Sequence, residues 1–445
     1  MLALADMLNA AESTDVDRLA DPLAPRKPEF AARAKSVIWI FLDGAASTNI
    51  DMFDRKPELD KRHGKRLGET VDVLFGNPGP VMRSPYEFKQ YGKSGMWVSE
   101  LMRHTAEHVD ELTFLKACVA DSNNHGPALL QMNSGFTRVG YPSAGSWITY
   151  GLGSENRNLP GYVVLYDPRG VPINGSPNWS NGFLPAAYQG VQFRSTKTPV
   201  LYLDRPGDMA PERQRAQLDL LQELNKAHRE KHAEESELDG RIKSFELAYR
   251  MQMEAPEAVD VTQEKPATHT LYGMDNPVTE SVGRRLLIAR RLVERGVRFV
   301  QVYAGGWDAH TDLEGNHRSH ASEVDLPTAG FLTDMRQRGL LKDTLVIWGS
   351  EFGRMPLSQD GTGRDHNPHA FLLWMVGGGL KPGYHHGESD DLGYKPVSGA
   401  VTIPDFHATL LHILGLNHKH LTYRHNGRSF RLTDVSGEVV KEILA

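Results

Sequence analysis

The sequence predicts an α/β fold, a large and mostly parallel sheet held between helices. Three observations predict it. Apolar runs of strand length, such as "SVIWIFLDG" (36–44), are continuous rather than alternating, as expected of strands buried on both faces. These runs alternate with segments of helical period, the pattern of strand–helix–strand units. Several of the helical segments open at proline and close at glycine, the usual asymmetry of helix ends.

Taken in order, residues 1–35 read as an N-terminal arm. Its start, "MLALADMLNAAES", is apolar and Ala-rich but lacks the basic leading segment of a complete secretory signal. It fits either a short amphipathic helix or the tail of an export leader. Residues 36–445 read as one domain with a helical insertion at about 208–255. After the first strand, "SGMWVSELMRHTAEHVDELTFLKACVAD" predicts a helix, a turn and a strand over 112–118. Residues 208–255 are highly charged, with Leu218, Leu221 and Leu224, then Leu238, Ile242 and Phe245, at helical spacing. They predict an inserted helical hairpin. "TESVGRRLLIARRLVERGVRFVQVYAGG" is a helix–strand unit, with Leu286, Leu287, Leu292 and Val293 as its apolar stripe and Gly296 as its stop. "LPTAGFLTDMRQRGLLKDTLVIWG" repeats that plan between Pro327 and Gly339, and "IPDFHATLLHILGLN" is a late helix.

Composition narrows the function classes. Hydrophobic residues are 40% and charged residues 24% of 445, ordinary for a globular chain. A net charge of −6 gives no whole-chain reason to expect nucleic acid. No apolar run reaches the roughly 18 residues of a membrane span. Cys118 is the single cysteine, which excludes an intrachain disulfide and a thiolate zinc site.

In open α/β sheets ligands bind at the carboxyl ends of strands. The first strand ends in Asp43, with Asp51 just beyond. The strand at 112–118 leads to Asp121, Ser122, Asn124 and His125. The strand at 297–303 leads to Asp308, His310 and Asp312. The strand at 344–348 leads into "GSEFGR" and "GRDHNPH", a loop bearing Glu351, Arg354, Arg364, Asp365, His366 and His369. A lone Asp-x-His marks a surface turn more often than a metal site. The recurrence of such residues after four strands is what predicts a shared polar centre. Carboxylate oxygens with imidazole nitrogens suit Zn, Mn, Mg or Ca. Arg354 or Arg364 could hold a phosphate or sulfate through a planar two-point contact, and Arg354 could instead pair structurally with a carboxylate. His407, His412, His418 and His420 read as structural or solvated, Trp307 and Trp348 as core or cleft wall, and Cys118 as inert.

The segments "FLDGAASTNIDMFDRKPEL", "ADSNNHGPALLQMNSG", "GSWITYGLGSENRNLPGYVVL", "GGWDAH", "TLVIWGSEFGRMP", "GRDHNPHAF" and "DFHATLLHILGL" occur in this order. Together they resemble the bacterial family called domain of unknown function 1501, abundant in planctomycetes, over nearly everything after residue 20. That family looks like a branch of the alkaline phosphatase and sulfatase superfamily. The resemblance implies an alkaline-phosphatase-like sheet, metal ions at one edge, and hydrolysis of phosphate or sulfate esters, small or polysaccharide-borne. It implies metal ligation by Asp43 or Asp51, by Asp308 and His310, by Glu351, and by His366 or His369. The phosphatase nucleophile turn is matched by Asp121-Ser122, the sulfatase Cys-x-Pro turn by His125-Gly126-Pro127. The acting nucleophile stays open between Ser122, His125 and a metal-bound water. Phe352 stands where a ligating histidine would be, so one metal site is depleted or another histidine takes over. The formylglycine sequence of sulfatases is absent. Twin-arginine export and an extracytoplasmic location are implied only by the resemblance. The rival readings are a non-catalytic binding protein on the same scaffold and a phosphomutase-like transferase.

Overall fold

The structure, a computed structural model, describes residues 21–67, 78–194, 200, 207, 209–231 and 237–445. The expected leader tail or short helix at the start of the chain lies outside the described residues. Nine strands form the central sheet: β1 (Ser36–Leu42), β2 (Thr113–Val119), β3 (Tyr162–Leu165), β4 (Val191–Phe193), β5 (Phe299–Ala304), β6 (Thr344–Gly349), β9 (Phe371–Gly377), β10 (His385–His386) and β11 (Val401–Thr402). Between β6 and β9 a separate ribbon is made of β7 (Gly353–Gln359) and β8 (Gly363–Asn367). The sheet order is β10-β2-β9-β6-β1-β5-β3-β4, with β11 also on β2. Only β9 runs against its neighbours. This is the large, mostly parallel sheet that the sequence predicts.

The register places the site. Leu42 of β1 pairs with Ala304 of β5, and Phe41 pairs with Gly349 of β6. Three neighbouring strands therefore end level, and the residues after them emerge side by side. All of β1 is buried, so each large apolar side chain there contributes about 1.5–3 kcal/mol on leaving water. At the turn after β1, Gly44 has φ +110°, and a Cβ there would lie 2.7 Å from the Asp308 nitrogen. Only glycine lets the β1 and β5 ends approach so closely.

Helix α1 (His125–Ser134) follows β2, α2 (Glu280–Glu294) precedes β5, α3 (Leu313–Gln337) precedes β6, and α4 (Ile403–Ile413) follows β11. Leu286, Leu287 and Leu292 of α2 are buried, and Gly296 turns the chain at φ +84°. Helix α3 corrects the sequence reading. It starts at Asp312, whose side chain accepts from the Gly315 nitrogen, and Pro327 lies inside it. The inward stripe of its first half is Leu313, His317, Ala321 and Val324, all buried. A buried histidine in that stripe hid the helical period. The stretch before β2 is a second correction. Met96–Ser99 is a strand paired with Phe88–Tyr91, followed by two short 3-10 turns. Its buried Met96 and Val98 flank a partly exposed Trp97, an alternation of period two that outweighs the helical reading.

Residues Pro211–Lys231 and Glu237–Val259 are helices. The residues that anchor the second one are not those expected. Leu247, Met251, Ala255 and Ala258 are buried, whereas Leu224 and Phe245 are exposed. The side chains of Leu238 and Ile242 lie outside the described ones. Among the described residues no helix is long and apolar enough to cross a membrane.

His317 gives the fold a measurable pH dependence. Its Nε2 accepts from the Ser47 nitrogen at 3.0 Å, and its Nδ1 faces Asn316 Oδ1 at 3.1 Å. Burial pushes its pKa down to about 3. Below about pH 6.5 the unfolded chain binds a proton that the folded chain refuses. This stability is therefore complete above about pH 6.5 and falls by about 1.4 kcal/mol per pH unit toward pH 3. Buried His407, pushed down to about 4, adds in the same sense. Urea unfolding between pH 7 and 4.5 should show His317→Gln losing close to one proton from the slope of stability against pH. An unchanged slope would contradict the assignment.

Candidate metal centre

Four side chains converge where the level strand ends meet: His125, Asp308, His310 and His366. Asp308 and His310 follow β5. His125 is the first residue of α1, where the side chain of Asn124 caps the helix by accepting from the Gly126 nitrogen. His366 comes from β8, brought in because the Ala120 nitrogen after β2 donates to the Pro368 carbonyl. A Cβ on Gly363 would fall 1.8 Å from the His310 carbonyl oxygen, so glycine lets β8 lie directly on the β5 loop.

Three imidazoles face one carboxylate oxygen. Nε2 of His125, His310 and His366 lies 3.3, 3.0 and 3.2 Å from Asp308 Oδ1. The opposite nitrogen of each ring is engaged from behind. His125 Nδ1 is 2.6 Å from Glu351 Oε1, His310 Nδ1 is 2.5 Å from Gln359 Oε1, and His366 Nδ1 is 2.7 Å from the Asn123 carbonyl. For His366 the tautomer is forced, because a carbonyl only accepts. Glu351 and Gln359 support the same assignment for the other two. Each Nε2 then turns a lone pair inward, the arrangement by which outer partners orient metal-binding histidines. His125 Nε2 is buried and makes no hydrogen bond. A tetrahedron with ligands about 2.0–2.1 Å from its centre has edges of roughly 3.3 Å. The three nitrogen–oxygen distances match such edges and all four donor atoms lie within 4.8 Å of one another, a set that could hold a divalent ion.

In the ion-free chain the electrostatics favour a proton on His125, which an entering cation would displace. Burial opposes the Asp308 charge, but the three histidines and Arg354 outweigh it and hold the carboxyl far below its ordinary range. Burial pulls His125 down, and Asp308 and Glu351 more than reverse this, raising it to about 9. His310 is raised by its contact with Asp308, and His366 is lowered by burial. Asp43, at the end of β1, is pushed up to about 7 by burial and by nearby Glu351, Asp167 and Asp308.

The remaining residues singled out in the sequence take other positions. Glu351 is fully buried behind His125. Its Oε1 accepts from the Gly44 and Ala45 nitrogens at 3.2 and 3.0 Å, and its Oε2 from Ser350 Oγ at 2.7 Å. Asp51 is paired with Arg364 at 2.8 Å, both side chains wholly buried, and also accepts from Ser47 Oγ. Asp365 Oδ1 accepts from the His366 nitrogen, and the His369 ring stands edge-on to Tyr394 at 5.4 Å. Asp51, Asp365 and His369 are not brought into the four-residue cluster. Ser122 lies on the turn before α1, its Oγ accepting from the Asn124 nitrogen at 3.1 Å. The expectation of an arginine clamp meets an obstacle in burial. Arg354 donates to the carbonyls of Gly44, Ala45, Trp307 and Arg364 and to Asp308; Arg364 donates to Asp51 and to the carbonyls of Met82, Arg83 and Met355. Both are enclosed, with every guanidinium nitrogen donating to at least one acceptor. Gln359 and Asn123 escaped the sequence reading. A polar residue on a strand and a backbone carbonyl carry no local signal.

Residues 34–444 match the family described as "Protein of unknown function (DUF1501)". No curated protein matches the chain. Similar solved structures include the lipoteichoic acid synthase LtaP from Listeria monocytogenes, at 8% identity over 94% of this chain and 80% of that one, TM-score 0.38. A phosphonate monoester hydrolase from Silicibacter pomeroyi is 10% identical over 86% of this chain and 73% of that one, TM-score 0.37. The alkaline phosphatase from the Antarctic bacterium TAB5 is 9% identical over 87% of this chain and 100% of that one, TM-score 0.35.

Proposed function

The chain belongs to the DUF1501 family, and from that premise we propose that it is a metal-dependent hydrolase of phosphate or sulfate esters, acting outside the cytoplasm. The observation that carries the reading is the ring of three imidazole Nε2 atoms around Asp308 Oδ1. His125, His310, His366 and Asp308 would hold a divalent ion. Bound there, the ion supplies Lewis-acid polarisation of the ester and stabilises developing negative charge.

The chain's own residues do the rest. Glu351, Gln359 and the Asn123 carbonyl fix the three rings and their tautomers. In the ion-free chain, burial and the neighbouring carboxylates raise Asp43, at the end of β1, to about 7, and a bound cation would favour its ionised form as a proton acceptor. Arg354 and Arg364 are enclosed, and the half-exposed Arg169 has its charge matched by two carboxylates. Its Nη2 reaches the Gly305 carbonyl while Asp167 and Glu323 hold the guanidinium. The nucleophile is either Ser122, on the turn that supplies Asn123 and His125, or a water activated at the centre.

The test uses folded full-length protein, stripped by chelator and reloaded separately with Zn, Mn, Mg or Ca. Aryl phosphate and aryl sulfate serve as substrates. Turnover is expected with at least one pairing, lost on chelation and restored by metal. Metal-loaded protein that turns over neither substrate with any ion would count against the hydrolase reading.

A further inference from the structure

We propose that the centre is built for one divalent ion, of borderline type such as zinc, and that the guanidinium of Arg354 stands where a second ion would otherwise sit. The inference rests on the metal-centre reading above and specifies its stoichiometry and ion class.

Two-ion hydrolytic sites hold their cations about 3.5–4 Å apart and share carboxylates between them. Here most of the carboxylates that could serve a second ion are already engaged, Asp43 excepted. Both oxygens of Glu351 are occupied, by two backbone nitrogens and His125 on one and by Ser350 on the other. Asp51 is given to Arg364. Asp308, the natural bridge, carries Arg354 Nη2 at 2.7 Å on the same oxygen that the three imidazoles face. The Gly44, Ala45 and Trp307 carbonyls at the strand ends would attract a hard cation, and all three accept from Arg354. A permanent, wholly buried positive charge thus fills the oxygen-rich corner of the site. A second ion bridged through Asp308 would meet that charge at close range.

The fourth side is closed by carbon. The Phe352 ring stacks on His125, centroids 5.1 Å apart at 29°, and lies 4.8 Å from the His366 ring. A phenyl ring offers no ligand atom there. Asp43 accepts no side-chain hydrogen bond among the described residues, but one carboxylate does not hold an ion. The remaining set, three imidazole nitrogens and one carboxylate oxygen, suits zinc. Magnesium and calcium take mostly oxygen ligands in larger number.

The experiment is metal titration of chelator-stripped full-length protein by calorimetry, with elemental analysis after desalting. The probes are zinc and magnesium alone. One zinc per chain is expected, bound more tightly than magnesium. Asp43→Asn should still bind one zinc. Glu351→Gln should also bind one, with affinity about 10–100-fold weaker because His125 loses its charged partner. Two tight equivalents, falling to one in Asp43→Asn, would overturn the single-ion proposal and leave a metal centre standing. Tighter binding of magnesium would overturn the ion class. No bound metal from any probe would overturn the centre itself.

Discussion

Asp308→Asn is expected to weaken zinc binding at least 100-fold and to abolish metal-dependent ester hydrolysis. The substitution keeps the side-chain shape but removes the charge that three imidazoles and a guanidinium share. It also replaces a ligand oxygen by an amide that binds divalent ions poorly. A 100-fold loss corresponds to about 2.8 kcal/mol, the upper end of the 10–100-fold that outer partners usually control. The measurement is zinc affinity by calorimetry, beside an unfolding curve that reports whether the fold survives. Arg354, whose side chain is wholly buried, loses its charged partner in this variant, so some loss of stability is expected too, and the unfolding curve separates it from lost ligation. Folded protein that still binds one zinc with native affinity would remove Asp308 from the ligand set.

Arg364→Ala is expected to destabilise the protein by about 3–5 kcal/mol, the range for breaking a buried ion pair. Both partners, Arg364 and Asp51, have wholly buried side chains. Asp51 is held below the usual carboxylate range because Arg364 and its hydrogen bonds overcome a large burial penalty. Truncation leaves that carboxylate enclosed without its counter-charge. The carbonyls of Met82, Arg83 and Met355 lose a donor as well. Denaturant unfolding measures the loss directly. The paired replacement Asp51→Leu with Arg364→Met should be far milder, since no buried charge is stranded. A change below about 1 kcal/mol in the single variant would show that water reaches the pair. Zinc content of the folded fraction should stay unchanged, which separates this architectural pair from the centre.

The contrast between these two aspartates shows where sequence reading stops. Asp51 and Asp308 both follow buried strands beside glycine-rich or polar turns, and both read as ligands. The chain folds one into a closed salt bridge and the other into a ring of imidazoles. His125 and Glu351 differ from expectation in the same way. One read as a nucleophile candidate and the other as a ligand, yet the geometry sets His125 facing the cluster and Glu351 behind it. Arg354 read as an anion clamp, and burial turns its N–H groups to the carbonyls that end β1 and β5.

The sequence by itself determined the sheet, most of the strands and helices that flank the site, and the strand ends at which polar chemistry gathers. Continuous apolar runs, proline starts and glycine stops are local signals, and burial of those runs leaves few alternatives. The tertiary structure alone decided which side of each polar residue faces inward. That choice depends on register between β1, β5 and β6, on the approach of β8 to the His310 loop, and on whether a carboxylate meets a guanidinium or an imidazole. Those partners lie up to about three hundred residues apart in the chain, as with Asp51 and Arg364, and no local period encodes their meeting.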